Sequence, residues 1–433
     1  MRADRAARST ADGGLDGGPS MPAVLYLLAL GAFAVGTDTF VIAGLLSEMG
    51  RSLHVSTTVA GQLVTVFALT YAVLAPVAAV VTGRWSRQRR LRAALALFTA
   101  GTAVSAVAPW FWLAMVGRVT AAAGASAYTP AAVAAAGALA PEGRRGTALA
   151  IVISGLSAAT ALGVPLGTLV GGALGWRFTL LLVAVLGAAV MAGCHLPADA
   201  PAGAVAGLRE RLAPLRKPAV LLVLATTLFA LASEYTIYTY LSLIFGAATD
   251  GRTVLLSALL LAFGVGAVIG NAVAGPATDR WGDGPVLLLA LVGVVAVEFL
   301  MPWTTGSLWP SLLAMGLWGV AGWGYLVPLQ HRLMALAPGA ASLTTSLNSS
   351  AIYLGASAGS VAGGVLITQL PARSIGCPAA AIGLLAIASA LASNRARDAA
   401  NAPASAANAD NAGADPAPKP PDLKPGKRSW SPP

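Results

Sequence analysis

Four ionisable side chains, Asp38, Arg118, Glu234 and Glu298, lie inside long apolar runs of this 433-residue chain. A charge set among hydrocarbon costs a few kcal/mol on insertion scales, so each is a functional candidate by default. A carboxyl group beside a guanidinium is pulled toward ionisation by the positive charge and away from it by burial. A pair whose separation changes can therefore bind and release a proton. At 1.5 Å per helical residue, Asp38 lies about 12 Å from the far end of its run and Arg118 about 10 Å from the same side of its own, so the two can meet. Glu234 lies about 22 Å from the start of its run, as Asp38 does, and either acid could hold a proton or a cationic substrate. The plainer readings are a static Asp38–Arg118 ion pair that fixes helix packing, and a Glu234 bonded to Tyr235 or Tyr238. Glu298 falls near the end of its run, where snorkelling to water is easier, and is read as structural.

The elements that must position these groups are membrane helices. Hydrophobic residues make up 57% of the chain and charged residues 10%, against about a quarter charged in an average soluble protein. Spanning a bilayer takes about 20 apolar residues, and the sequence offers twelve such runs, near 23–46, 57–81, 91–108, 111–139, 147–171, 176–196, 219–245, 253–275, 284–304, 307–330, 341–369 and 375–393. They are continuous rather than alternating, which predicts helices and not a barrel. The first run is too long for a signal-peptide core and is expected to be retained.

The net charge of +10 would suggest nucleic acid in a soluble protein, but its distribution follows the membrane. With the N-terminus in the cytoplasm, 22 of the 27 Lys and Arg fall on that side, leaving Arg51, Arg177, Arg252 and Arg373 outside and Arg118 within a span. The positive-inside rule then places both termini in the cytoplasm and removes the case for a nucleic-acid partner. Cys194 and Cys377 are expected at opposite faces, too far apart for a disulfide. No Cys/His cluster predicts a metal.

The polar stretch 197–218 divides the chain into six spans and six spans. Aligning Pro22 with Pro218 sets PAVLYLLALGAFAVGTD over PAVLLVLATTLFALASE and pairs Asp38 with Glu234. A second match follows spans 2 and 8, where the breaks read TGRWSRQRRL and GPATDRWGDG. A parallel repeat of this kind predicts a two-bundle transporter with its site between the halves near the midplane, and it places both Asp38 and Glu234 toward that central cavity. The expected organisation is a cytoplasmic tail 1–22, a six-helix bundle 23–196, a cytoplasmic linker 197–218, a second six-helix bundle 219–393 and a disordered cytoplasmic tail 394–433.

The segments GTDTFVIAGLL in span 1, AGQLVTVFALTYA in span 2, GRVTAAAGASAYTPA in span 4, LGVPLGTLVGGALGWR in span 5 and GPATDRWG after span 8 resemble, in this order, the major facilitator superfamily. The likeness is to its twelve-span drug:proton antiporters, near the sugar-efflux and purine-efflux exporters, and covers residues 21–394. It implies an all-α fold of two pseudo-symmetric bundles in a bacterial inner membrane. It also implies proton-coupled export of drugs, sugars or nucleosides, with a coupling role for Arg118. Gly155, Gly163, Pro165, Gly167 and Gly171 match the antiporter motif, which the resemblance casts as a seal between bundles. Gly83, Arg87, Arg90, Gly275, Asp279, Arg280 and Gly282 match the inner-loop gating motif. The first copy of that motif departs from the family, with Ser86 where the acid is expected and Arg89 at the second Gly.

Gln62, Tyr71, Tyr128, Tyr235, Tyr238, Asn271, Trp318, Trp323, Tyr325 and Asn348 are candidates to line a substrate cavity. Trp110, Trp112, Trp303 and Trp309 flank breaks and fit the membrane interface. No phosphate-cradling Gly-rich loop with a Lys is present, so ATP is not expected as the energy source. No nucleophile with its base and no metal cluster points to an enzyme. The expectation is a transporter without cofactor, acting as a monomer on small molecules and protons. An importer or facilitator on the same fold is the alternative, with a membrane sensor or enzyme further behind.

Overall fold

A computed structural model describes residues 22–141, 144–195, 213–336 and 341–412, and these are helical almost throughout, with no strand among them. The outer parts of both tails, residues 196–212, which include most of the linker, and residues 142–143 and 337–340 lie outside the described residues. We number the long helices α1 (Ala23–Ser52), α2 (Thr57–Val81), α3 (Arg87–Val107), α4 (Phe111–Leu139), α5 (Arg145–Leu174) and α6 (Trp176–Gly193). They continue as α7 (Pro218–Tyr238), α8 (Thr253–Trp281), α9 (Asp283–Thr304), α10 (Leu308–Leu336), α11 (Ala341–Gln369) and α12 (Gly376–Ala412). Apart from α4, all contain a stretch long and apolar enough to cross a membrane. Arg118 and a run of Ala, Gly, Ser and Thr make α4 less apolar at the same length. The last helix continues beyond the expected boundary at residue 393, because the Ala-rich stretch that follows favours helix strongly.

Short polar devices set the helix ends. Ser56 and Ser86 cap α2 and α3 by accepting from the amides of Val59 at 3.2 Å and Arg89 at 3.3 Å. At the start of α6 the Trp176 amide donates to Glu48 Oε1 at 3.2 Å. Gly282 reverses the chain between α8 and α9 at φ +81°, a conformation that only glycine adopts freely. Within α5, residues Ala159–Gly163 form a π turn whose last bond runs from Val164 N–H to Ala159 O. Pro165 accounts for it, since its ring cannot sit over a normal turn and the helix widens ahead of it.

Helices α1 to α6 pack chiefly on one another, through α3 with α4 and α6 and α1 with α5, and α7 to α12 do the same, through α8 with α10 and α7 with α11 and α12. The two groups meet along α2 with α11 and α5 with α8. Leu289, Leu313, Val116, Val254 and Val365 are exposed on the outside, the surface that a lipid-facing bundle requires. Trp110, Trp112, Trp303 and Trp309 are all exposed at helix ends. We call the face carrying residue 22 the tail face and the opposite one the distal face.

Candidate functional site

Asp38 and Arg118 meet as the depth argument predicts. Arg118 Nη1 donates to Asp38 Oδ2 at 2.6 Å, with both side chains almost wholly buried. Thr102 of α3 donates to Asp38 Oδ1 at 3.5 Å, and Arg118 Nε donates to the Leu63 carbonyl of α2 at 3.4 Å. The guanidinium lies 4.1 Å from the Phe67 ring centroid, and its Nη2 has no hydrogen-bond partner. Helices α1 to α4 therefore hold a buried ion pair with Arg118 Nη2 left unpartnered. The partners of Asp38 all belong to the first six helices, so this acid faces the interior of that group and not the junction expected from the repeat.

Glu234 does lie toward the junction. It is 7% exposed and packs against the backbone of Gly322 on α10, beside Tyr325, with its Oε1 unpartnered. Helix α10 follows α9 as α4 follows α3, yet it offers aromatics where α4 offers Arg118. Tyr235, Tyr238, Phe263, Trp318 and Trp323 cluster near Glu234, and Phe40 of α1 joins them across the junction. Phe40 meets Tyr238 edge-on at 6.2 Å, and the Tyr238 hydroxyl donates to the Phe40 carbonyl at 3.5 Å. Phe40 was missed in the sequence, as was Tyr353 of α11, which stacks on Tyr71 of α2 at 3.6 Å between centroids. An isolated aromatic in an apolar run carries no signal of which neighbour it faces.

The other candidates for the cavity scatter. Tyr128 is buried in the first bundle, donating to Leu28 O at 2.9 Å. Asn348 is held inside the second by Thr227 at 2.8 Å. Gln62 lines an open groove of about 630 Å³ with Val55, Val59, Phe111, Trp112 and Met115, away from the aromatic cluster. Asn271 is partly exposed on α8.

The glycines of α5 serve close packing, mostly within the first bundle. A Cβ at Gly155, Gly163, Gly167 or Gly171 would strike Ala29, Thr37, Val41 or Leu45, all on α1. The face of α5 toward α8 is a different one. There the Pro165 carbonyl accepts from Ser257 at 2.6 Å, and Gly172 abuts Thr253.

In the inner-loop motif, Arg90 Nη2 donates to the Gly83 carbonyl at 3.3 Å, and Ser86 caps α3. Arg87 is partly buried in the same turn, and Gly275 is partly exposed on α8. Asp279 and Arg280 are exposed, with Arg280 near the Trp281 ring. The buried charge sits one residue past Gly282. Asp283 accepts from Arg332 of α10 at 3.3 and 3.4 Å and from Arg397 of α12 at 2.8 and 2.9 Å. The exposed His331 imidazole lies 3.9 Å from it. The motif directs attention to Asp279, and nothing in the local sequence marks the next acid as the one that ties three helices together.

Glu298 is not a snorkelling residue. It is fully buried, with its Oε2 within hydrogen-bonding range of Ser233 Oγ on α7. Among the described residues no group of His, Cys, Asp and Glu could hold a metal.

The comparisons with known proteins agree with this architecture. The family profile described as Major Facilitator Superfamily matches residues 28–342. The chain is 34% identical over 349 residues to the inner membrane transport protein YdhP of Escherichia coli (strain K12), covering 79% of this chain and 88% of that protein. It is 32% identical over 355 residues to a chloramphenicol resistance protein of Streptomyces lividans, covering 78% and 88%. A crystal structure of a bacterial homolog to the human lysosomal transporter Spinster, inward-facing and unoccupied, superposes with a TM-score of 0.67 at 17% identity, covering 88% of this chain and 98% of that one. That last likeness concerns the fold alone. The relatives together with the family match decide the matter: this multi-pass membrane protein belongs to the Major Facilitator Superfamily, as one of its transporters.

Proposed function

We propose that the chain is a proton-coupled antiporter that exports small molecules from the cytoplasm by alternating access. The observation that carries this reading is the sealed Asp38–Arg118 pair, with Arg118 Nη2 left without a partner. Protonating Asp38 removes the charge that holds Arg118 in place. The guanidinium is then left with Leu63 O, which already accepts from its Nε, and its other N–H groups must find new acceptors. Proton binding is in this way converted into a change of packing among α1, α2 and α4. The aromatic cluster around Glu234 at the junction is the proposed substrate site, offering apolar faces and one carboxyl group.

The distal face supports alternating access, because hydrogen bonds cross the junction there. Ser47 meets Ser242 at 2.7 Å, Thr65 donates to Ser360 at 3.0 Å, and Ser257 donates to Pro165 O. These contacts are the closed side of the carrier. The proposed setting is a monomer in a bacterial inner membrane with both termini cytoplasmic. Resemblance to a chloramphenicol resistance protein supports drugs as substrates, ahead of sugars and nucleosides.

Purified protein in liposomes with an imposed proton gradient tests the reading. Chloramphenicol, amphipathic cations, sugars and nucleosides are screened for uphill movement opposite to proton flow. Movement that only equilibrates a substrate, whatever the gradient, would identify a facilitator instead.

A further inference from the structure

Ser233 Oγ has two oxygen neighbours at hydrogen-bonding range, Glu298 Oε2 and the Ala379 carbonyl at 2.7 Å. A hydroxyl owns one hydrogen and can accept others. The Ala379 carbonyl can only accept, so the Ser233 proton is spoken for if that bond is made. The contact with Glu298 then needs a hydrogen of its own, and the one available source is the carboxyl group. We infer that Glu298 is a proton-binding site of the second bundle, carrying a proton in this structure and donating it to Ser233.

A second observation points the same way. Glu298 is fully buried, its Oε1 has no hydrogen-bond partner, and no cation pairs with it among the described residues. An ionised carboxylate with one bare oxygen in an apolar core carries a large desolvation cost, which the neutral acid avoids. The groups that face it are accounted for. From α7 come Ser233 and Glu234, from α10 Trp318 and Tyr325, and from α12 Gly383 and the Ala379 carbonyl. None brings a positive charge. The Trp318 indole N–H faces the same carboxyl group but falls short of a hydrogen bond. Gly383 leaves the room that the pair occupies, since a Cβ there would stand 3.0 Å from Ser233 Oγ.

Ser233 is joined in sequence to Glu234, so the proton on Glu298 sits one residue from the acid at the junction. The site lies outside the Asp38–Arg118 pair and holds or fails independently of it. Its role would be to bind a proton in the state described here and to release it in a state that admits water between α7 and α9.

Infrared difference spectroscopy on the full-length protein in lipid, without substrate, tests this. Glu298→Gln keeps the shape and a donor toward Ser233 but has no acid. Wild type minus Glu298→Gln at neutral pH is expected to show the C=O band of a protonated carboxyl group. Ser233→Ala should shift that band as its hydrogen bond is lost. The band should vanish reversibly as the sample is made alkaline and should persist in Asp38→Asn. Carboxylate bands in place of the acid band at neutral pH would overturn the inference. So would a band that never titrates before the protein unfolds, because a locked acid is not a proton-binding site. Loss of the band in Asp38→Asn but not in Glu298→Gln would assign the proton to Asp38. Absence of proton-driven transport with the Glu298 band present would count against the coupling pair alone.

Discussion

Ser47 near the end of α1 and Ser242, just beyond α7, bring their hydroxyl oxygens to 2.7 Å across the junction of the two halves. Sulfur atoms in those positions would be within reach of a bond of about 2.0 Å. The double variant Ser47→Cys/Ser242→Cys should oxidise readily and lose transport, and a reductant should restore it. Cys194 is buried, and burial pushes its thiol pKa up, so it should stay out of the reaction. Full transport by a completely cross-linked sample would mean that the distal face need not open.

Asp283 ties the ends of α9, α10 and α12 together on the tail face, and its two arginines differ in exposure. Arg332 is 2% exposed and Arg397 is 38%. Asp283→Asn leaves Arg332 buried without its anion, a loss of about 3–5 kcal/mol. Arg397→Ala removes a partner that water already screens, worth about 0–1 kcal/mol. Thermal unfolding in detergent should therefore show a large drop in apparent Tm for the first and a small one for the second. Equal drops would mean that Arg332 is not the dependent partner.

Much of this was readable from the sequence, and the exceptions have physical reasons. Helix number follows from the apolar runs, because a bilayer fixes their length, and Asp38 and Arg118 could be matched because rise per residue converts position into depth. Depth says nothing about azimuth. That is why Asp38 was expected at the junction when it points inward, and why Glu298 was given a path to water that α7 and α12 close. Depth likewise could not show that Asn348 and Tyr128 bond to partners within their own bundles. A polar group in a span reads alike whether it faces a substrate or a neighbouring carbonyl. The glycines of α5 were recognised as a close-packing face, but which helix they receive depends on the rotation of α5 after its π turn.

Gly155, ahead of the π turn, tests the packing of α5 on α1. A methyl group there would press on the Ala29 carbonyl of α1, which is backbone and cannot step aside. Gly155→Ala should destabilise by about 1–3 kcal/mol, the usual cost of overpacking. Gly146, with open space around its Cβ position, should accept Ala without loss. The comparison is read as apparent Tm of the two variants in the same detergent, and an unaffected Gly155→Ala would place α5 in a different register against α1.

Asp38→Asn separates coupling from structure. The amide keeps the volume of the acid but cannot be charged and discharged, so uphill transport driven by a proton gradient should vanish while downhill exchange of substrate persists. The same change leaves Arg118 buried without its anion, which can lower the amount of folded protein by several kcal/mol of stability. Asp38→Asn combined with Arg118→Gln restores charge balance and should recover folded yield without recovering coupling. Transport is therefore compared per folded molecule, at equal and at opposed proton gradients. If well-folded Asp38→Asn accumulates substrate against its gradient as the wild type does, Asp38 is an anchor for Arg118 and nothing more. The coupling proton would then have to be carried by the second bundle, where Glu234 and Glu298 are buried acids that, unlike Asp283, have no arginine partner among the described residues.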